Sequence, residues 1–181
     1  AVIGDQVVAK SREPIEAVLL DVGPLGRSYY AEEYDPEKST PPTCYSLDTV
    51  RPAKDAEDPQ SSTCDTCPMA VRGSSRTQKG SAACRYRQNL AVALPGHKEV
   101  FRLSLNPTSL FSKEAGPNGE LGLNAYVQSL KGYGVTPSMV FTELSLNEEV
   151  EHAQLQFRAL GYIDDPDEFE DYMEMAQSPA L

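Results

Sequence analysis

The sequence lacks any long apolar run, and none of its hydrophobic stretches approaches the roughly 18–20 residues that a helix needs to cross a bilayer. No secretory signal peptide opens the chain. It also has no N-x-S/T glycosylation sequon, because Asn106-Pro107-Thr108 carries the excluded proline. We therefore expect an intracellular, cytoplasmic protein that does not contact a membrane.

Histidine is scarce, with two residues in 181, and this restricts the catalytic sites that the chain can build. A Ser-His-Asp site has little support, and neither a G-x-x-x-x-G-K-[ST] nor a G-x-S-x-G motif is present. His97-Lys98-Glu99 matches the H-x-E of zinc deaminases, but it follows the C-x-x-C pair instead of preceding it. We predict a protein that is not an enzyme, and a hydrolase or deaminase ranks third among the alternatives.

Acidic residues are absent between Pro68 and Leu90, although the chain as a whole is acidic. Its 27 Asp and Glu exceed its 16 Lys and Arg, for a net charge of −11, which excludes a uniformly basic coat for nucleic acid. Eleven acids and one base lie from Glu143 to Leu181. Ordinary solvated surface explains many such runs, but a basic segment and an acidic end together favour a polyanion-binding patch with an acidic end that mimics the polyanion or binds a partner.

Six segments have the composition or alternation of β-strands and predict a mainly β fold. The turn residues Gly23-Pro24-Leu25-Gly26 separate the first two of these strands. Apolar residues at helical spacing predict a helix over Glu120–Lys131, and Asp165-Pro166-Asp167-Glu168 has the residues that begin a short acidic helix. The strands are predicted at 15–22, 27–34, 89–94, 99–105, 138–146 and 151–159.

This order of elements fits an OB-like barrel of five to six strands, with an α+β sandwich as the alternative. The length suits one domain with an insertion. We expect a single domain over 1–181, an inserted subdomain over 36–88, and an acidic C-terminal helix and tail over 164–181.

All four cysteines lie in the predicted insertion, with the spacing C-x19-C-x2-C-x16-C. Four thiolates complete a tetrahedral zinc site, and metal binding can order a segment that has little apolar material. The intracellular composition argues against two disulfides, and the spacing does not match the common iron–sulfur cluster motifs. The concentration of all four cysteines in one loop argues against inert core cysteines. We predict one structural Zn²⁺, held by Cys44, Cys64, Cys67 and Cys84.

A Gly- and Ser-rich basic arm runs between Cys67 and Cys84 and leads into Arg85-Tyr86-Arg87. Cations that contact phosphates and tyrosines that stack on bases are typical of sequence-tolerant binding to single strands. Packing within strands is the alternative role of each tyrosine. The predicted phosphate contacts are Arg72, Arg76, Lys79, Arg85 and Arg87, and the predicted stacking residues are Tyr86, Tyr29, Tyr30 and Tyr34.

The same residues resemble those of zinc-containing single-stranded-DNA-binding proteins of tailed bacteriophages. Cys44, the run Cys64-Asp65-Thr66-Cys67-Pro68 and the run Gly80-Ser81-Ala82-Ala83-Cys84-Arg85 match a C…C-x-x-C-P…G-x-x-x-C-[RK] element. An "LAV" strand at Leu90-Ala91-Val92 follows it. The plan is also similar to that of the helix-destabilising protein of T-even phages, although that family has a His among its zinc ligands.

The resemblance implies an OB-fold with a zinc insertion, single-stranded DNA as the ligand, and an acidic C-terminal region that recruits replication or recombination partners. It places the protein in the cytoplasm of an infected bacterium. The alternative function is that of a zinc-ribbon adaptor, which would bind a polymerase or another protein through the same basic arm.

Overall fold

The computed structural model describes residues 2–3, 6–7, 13–32 and 40–177. The chain divides into two compact units. Unit 1 comprises 1–21, 91–101 and 108–181, and unit 2 comprises 22–90 and 102–107. The four cysteines and the basic arm all belong to unit 2, together with the whole predicted insertion.

The fold is mainly β, as predicted, and its principal sheet is antiparallel with six strands. The strand order is β6-β5-β3-β7-β8, and β4 pairs with β3 beside this path. The order has two ends, β6 and β8, so the sheet is open and closure into an OB-like barrel is not confirmed. The bounds are Val2–Ile3 (β1) and Gln6–Val7 (β2) in a separate ladder, then Ile15–Tyr29 (β3), Cys44–Ser46 (β4), Arg85–Ala93 (β5), Val100–Leu105 (β6), Val140–Leu146 (β7) and Leu155–Tyr162 (β8).

The predicted turn at 23–26 is wrong, because β3 continues through it as one strand of 15 residues. A Cβ on Gly23 would lie 2.9 Å from the carbonyl oxygen of Asn89, and one on Gly26 would clash with the carbonyl oxygen of Ser46. Pro24 lies between the β3 residues that pair with β7 and those that pair with β4. The two glycines therefore permit close backbone approach within a sheet, a role that turn chemistry alone cannot distinguish.

The helices follow the sequence patterns more closely. A five-residue helix, α1, spans Pro107–Phe111, and α2 spans Leu123–Gly132. The side of α2 that carries Leu123, Tyr126 and Leu130 is buried, as its spacing predicts. The C-terminal helix α3 spans Pro166–Ala176.

Helices α2 and α3 pack on opposite faces of the sheet in unit 1. The Tyr126 hydroxyl of α2 lies 2.6 Å from the Thr142 hydroxyl of β7, whereas the ring of Tyr172 in α3 meets Phe141 edge-on at 6.3 Å between centroids. Residues 141 and 142 are adjacent on β7, and successive side chains of a strand point to opposite faces. The sheet is thus covered on both sides in this unit, and Phe157 is completely buried.

Strand β8 begins four residues later than the segment predicted from 151, and it contains an irregularity. Phe141 pairs with Gly161 while the next residue, Thr142, pairs with Ala159, so that Leu160 is the extra residue of a β-bulge. None of the helices in the described ranges is long and apolar enough to cross a membrane.

Charge divides between the two units. By sequence, unit 2 has ten Lys and Arg against nine Asp and Glu, for a net charge of +1. Unit 1 has six basic and 18 acidic residues, for a net charge of −12. The negative net charge of the chain therefore comes from unit 1, and the net charge of unit 2 does not repel a polyanion.

Candidate metal centre and nucleic-acid interface

The four cysteine side chains line one cavity in unit 2. Each exposes only 7–8% of its surface, and none forms a disulfide. Tyr29, Met69 and Ala83 pack beside them and form a small apolar cluster with Cys44 and Cys84. Cys44 and Cys84, which are 40 positions apart in sequence, thus lie around the same cavity.

Backbone hydrogen bonds fix the position of each cysteine. Cys44 begins β4, opposite Tyr29 of β3. The Cys64 amide donates to the carbonyl of Val50 at 2.9 Å, and the Cys84 amide donates to the carbonyl of Met69 at 2.7 Å. Cys67 directly precedes a 3-10 turn at Pro68–Ala70, and its carbonyl accepts from the amide of Ala70 at 3.0 Å.

The turn between Cys44 and Cys64 is organised by one carboxylate. Oδ1 of Asp48 accepts from the amides of Val50 and Arg51 at 2.8 and 3.1 Å, and from the Ser46 hydroxyl at 2.9 Å. These donors, with Val50 the strongest, lower the pKa of Asp48. The same turn presents the Val50 carbonyl to Cys64, so local turn chemistry helps to position a cysteine.

The thiols are close enough to change one another's pKa, but they are not arranged as a metal-coordination site. Burial raises the pKa of the Cys84 thiol to about 11, Arg27 opposes this, and Cys67, Cys44 and Cys64 add to it. Within the described ranges, no three His, Cys, Asp or Glu side chains are gathered at metal-binding positions. A bound ion would have to displace the protons of the thiols, which makes its affinity pH-dependent.

A half-buried guanidinium beside the thiols supports the fit of a cation with four thiolates. Arg27 lines the cysteine cavity, and its Nε is buried without a hydrogen-bond partner. Its guanidinium carbon lies 4.0 Å above the ring centre of Tyr86. In the described part of the chain, no carboxylate pairs with it. A partly desolvated cation that faces neutral thiols is costly, whereas thiolates around a metal would compensate its charge.

The basic arm is folded on itself in this structure. The Ser74 hydroxyl donates to the carbonyl of Met69 and accepts from the amide of Ala83, both at 2.9 Å, and so joins the two ends of the arm. The amides of Gly73 and Ser75 both donate to the carbonyl of Ser81, at 3.0 and 3.1 Å. The three arm cations, Arg72, Arg76 and Lys79, are exposed on this folded loop.

Strands β5 and β6 present a second basic surface, here called the arginine face. Arg85, Arg87 and Asn89 are the exposed residues of the first half of β5 and alternate with half-buried ones. The Ser104 hydroxyl of β6 donates to Oδ1 of Asn89 at 2.7 Å, so both point to the same side. Arg102 lies two residues before Ser104 and is exposed as well. Three arginines therefore share this face.

The tyrosines named by the sequence occupy different environments. Tyr30 is 37% exposed, and its hydroxyl accepts a 2.8 Å hydrogen bond from Nη1 of Arg87, whose guanidinium carbon is 5.7 Å from the ring centre. Tyr86 is half-buried beneath Arg27. Tyr29 is 9% exposed and packs with the cysteines, so its position does not support stacking on a base. Tyr34 lies outside the described residues.

Two residues of this region were not identified from the sequence. Arg102 belongs to the arginine face because the Ser104–Asn89 hydrogen bond joins β6 to β5 on that side, a contact that the alternation within either strand cannot supply. Arg27 reaches the cysteine cavity because the expected turn is in fact strand. The register Arg27 opposite Ser46 and Tyr29 opposite Cys44 places it there.

Comparisons with protein-family models, with curated proteins and with solved structures found no match. We therefore infer the function from the geometry of the cysteine cavity and the arginine face.

Proposed function

We propose that the protein binds single-stranded DNA without strong sequence preference. A structural Zn²⁺ held by Cys44, Cys64, Cys67 and Cys84 would order the cysteine-rich element, residues 44–84, which leads into β5. The observation that carries this proposal is the arginine face, on which Arg85, Arg87 and Arg102 accompany the exposed Tyr30. Arginines that neutralise phosphates beside an aromatic ring for base stacking suit a flexible single strand.

The Arg87–Tyr30 pair supports a single strand over a duplex. The guanidinium holds the tyrosine ring at the surface by one hydrogen bond and lies above it within cation–π range. Because the Tyr30 ring is already positioned, it loses little conformational freedom when an unstacked base stacks on it. Bases within a duplex are already stacked on one another and do not offer a face to such a ring.

The metal would act as a structural element. Four thiolates leave no open position for a substrate, so the ion would supply folding energy and no reaction step. Cys84 is adjacent to Arg85 at the start of β5. A metal that fixes Cys84 would therefore fix the end of the strand that carries two of the three arginines.

The resemblance to phage single-stranded-DNA-binding proteins supports a role in phage DNA replication or recombination, in the cytoplasm of an infected bacterium. The same resemblance supports partner recruitment by the acidic C-terminal region. OB-like closure of the sheet is not needed for this proposal, because the arginine face lies within unit 2.

A titration tests the proposal. Fluorescently labelled oligo-dT, an oligo-rU of equal length and a matched duplex are each titrated with the protein at 50 and 200 mM salt. We expect oligo-dT to bind most tightly and its affinity to fall as salt rises. Equal affinity for all three ligands would reduce the proposal to non-specific polyanion binding, and tighter oligo-rU binding would replace DNA by RNA.

One observation favours the adaptor as a second candidate. Leu47, Val50 and Val71 of the cysteine-rich element are large apolar residues that expose 57–62% of their surface. Such residues suit a protein partner better than a phosphate backbone. If the adaptor is correct, Leu47→Ser together with Val50→Ser will abolish capture of a replication protein while leaving oligo-dT binding unchanged. Loss of oligo-dT binding in that variant, with the fold retained, would argue against the adaptor.

A further inference from the structure

We propose that Arg27 is the positioning residue of the metal centre. Its guanidinium compensates the negative charge of the thiolates and holds Tyr86 against β3. This inference rests on the proposed zinc site and deepens it. It assigns a role to a side chain outside the four cysteines, and it separates Arg27 from the arginines that face DNA.

The pairing register brings Arg27 to the cysteines. Arg27 is opposite Ser46 and Tyr29 is opposite Cys44, and residues two apart on a strand share a face. Arg27 and Cys44 therefore point to the same side of the β3–β4 pair. The carbonyl of Ser46 closely approaches Gly26, where there is no room for a Cβ, and this holds the short strand β4 tightly against β3.

Charge explains why an arginine suits this position. Four thiolates around Zn²⁺ carry a net charge of −2, which is costly to bury. The guanidinium of Arg27 beside them halves that charge, and its unpartnered buried Nε–H is available to a sulfur. Residues that support metal ligands in this way typically change metal affinity 10–100-fold when they are replaced.

Tyr86 explains how the guanidinium is kept in place. Its ring lies 4.0 Å from the guanidinium carbon, close enough for a strong cation–π contact. Tyr86 is two residues after Cys84, on the strand that also carries Arg85 and Arg87. Arg27 thus lines the cysteine cavity and also contacts Tyr86, which lies on the side of β5 opposite the arginine face.

The test compares Arg27→Met, Arg27→Lys and the matched control Arg51→Met in the full chain. Arg51 is an exposed arginine in the same element, in the turn after Asp48. Zinc affinity is measured by competition with a chromophoric chelator. We expect R27M to bind zinc 10–100-fold more weakly and R51M to match the wild type. R27K should fall between them, because it keeps the charge and loses the planar fork.

Replacing zinc by cobalt gives an absorption spectrum that would not change if Arg27 only stabilised the fold. Loss of an N–H donor to sulfur raises the energy of the sulfur lone pairs, so the thiolate-to-cobalt band of R27M should shift to longer wavelength. At saturating zinc, the salt dependence of oligo-dT binding should be the same for R27M and wild type, since Arg27 does not contact phosphates.

The outcomes separate the inference from the zinc proposal. Equal zinc affinity and identical cobalt spectra for R27M and R51M would overturn the role of Arg27 and leave the zinc site intact. A wild-type protein that binds neither zinc nor cobalt would overturn both. If R27M does not fold, the zinc affinity and cobalt band of R27K decide: values equal to those of R51M would refute the inference.

Discussion

The arginine face predicts a defined salt dependence for DNA binding. The double variant Arg85→Gln/Arg102→Gln removes two exposed cations for which the described structure shows no hydrogen bond or ion pair, so the fold should be retained. Arg87 is left in place because it holds Tyr30. Each lost phosphate contact lowers the slope of log K against log salt by about 0.7 for a single strand.

The magnitude follows from the two contacts. Their combined slope is about 1.4, so a fourfold rise in salt, from 50 to 200 mM, changes their contribution to affinity about sevenfold. We expect the affinity ratio of wild type to variant to be about seven times larger at 50 mM than at 200 mM. Fluorescence anisotropy with labelled oligo-dT at five salt concentrations measures both slopes.

The control is Lys113→Gln, which removes an exposed cation in unit 1, outside the arginine face. Its slope should equal that of the wild type. If K113Q and the double variant lower the slope equally, the effect reflects total charge and not a surface. If neither variant changes the slope, the arginine face does not contact phosphates and the reasoning is refuted.

Four further predictions concern the metal, the core and the start of α3. Cys64→Ser should lower the zinc content from about one per chain to near zero, by elemental analysis, and expose the other cysteines to alkylation. Tyr126→Phe leaves the buried Thr142 hydroxyl without its 2.6 Å partner and should cost about 1–3 kcal/mol of unfolding free energy in urea. Asp165→Ala removes the side chain that accepts from two amides at the start of α3, and should cost about 1 kcal/mol. Burial, aided by Glu168, raises the pKa of Tyr172 to about 12 from 10.0. The protonated tyrosine therefore stabilises the fold fully below pH 10, and this stabilisation is lost as the pH rises through 12. The unfolding free energy of Tyr172→Phe should depend less on pH in that range.

Local patterns in the sequence predict the elements whose stabilising contacts are also local. The apolar spacing of α2 and the Asp165 cap of α3 are both found where the sequence indicates them. Each depends on residues within one or two turns of one another. The C-x-x-C pair and the outlying cysteines likewise predict a shared site, and the four thiols do line one cavity.

Features that depend on pairing between distant segments are not predicted. Gly23-Pro24-Leu25-Gly26 has the composition of a turn, but distant carbonyls pack against its glycines and keep it extended. Arg27 acquires its neighbours from the β3–β4 register, and Arg102 acquires its neighbours from the pairing of β6 with β5. The bulge at Leu160 likewise exists only as a mismatch between two paired strands.

The acidic helix α3 has two possible roles, and the structure supports the packing role directly. Tyr172 is only 4% exposed and packs with Val18, Leu20 and Ile163 in the core of unit 1. Deletion of 164–181 would remove this packing together with the acids, so a truncation cannot separate stability from charge. Tyr172→Ala alone should cost about 3 kcal/mol or more of unfolding free energy, by the cost of deleting a buried aromatic ring.

A charge-only variant separates the two roles. Glu170, Asp171 and Glu174 are exposed on α3, so their replacement by Gln, Asn and Gln keeps the packing and raises the net charge from −11 to about −8. We expect an unchanged urea midpoint and tighter oligo-dT binding at 20 mM salt. The gain should fade near 200 mM, where the Debye length is under about 10 Å. If oligo-dT affinity is unchanged at 20 mM salt, the acids of α3 do not oppose DNA binding, and the helix contributes to this protein through packing alone.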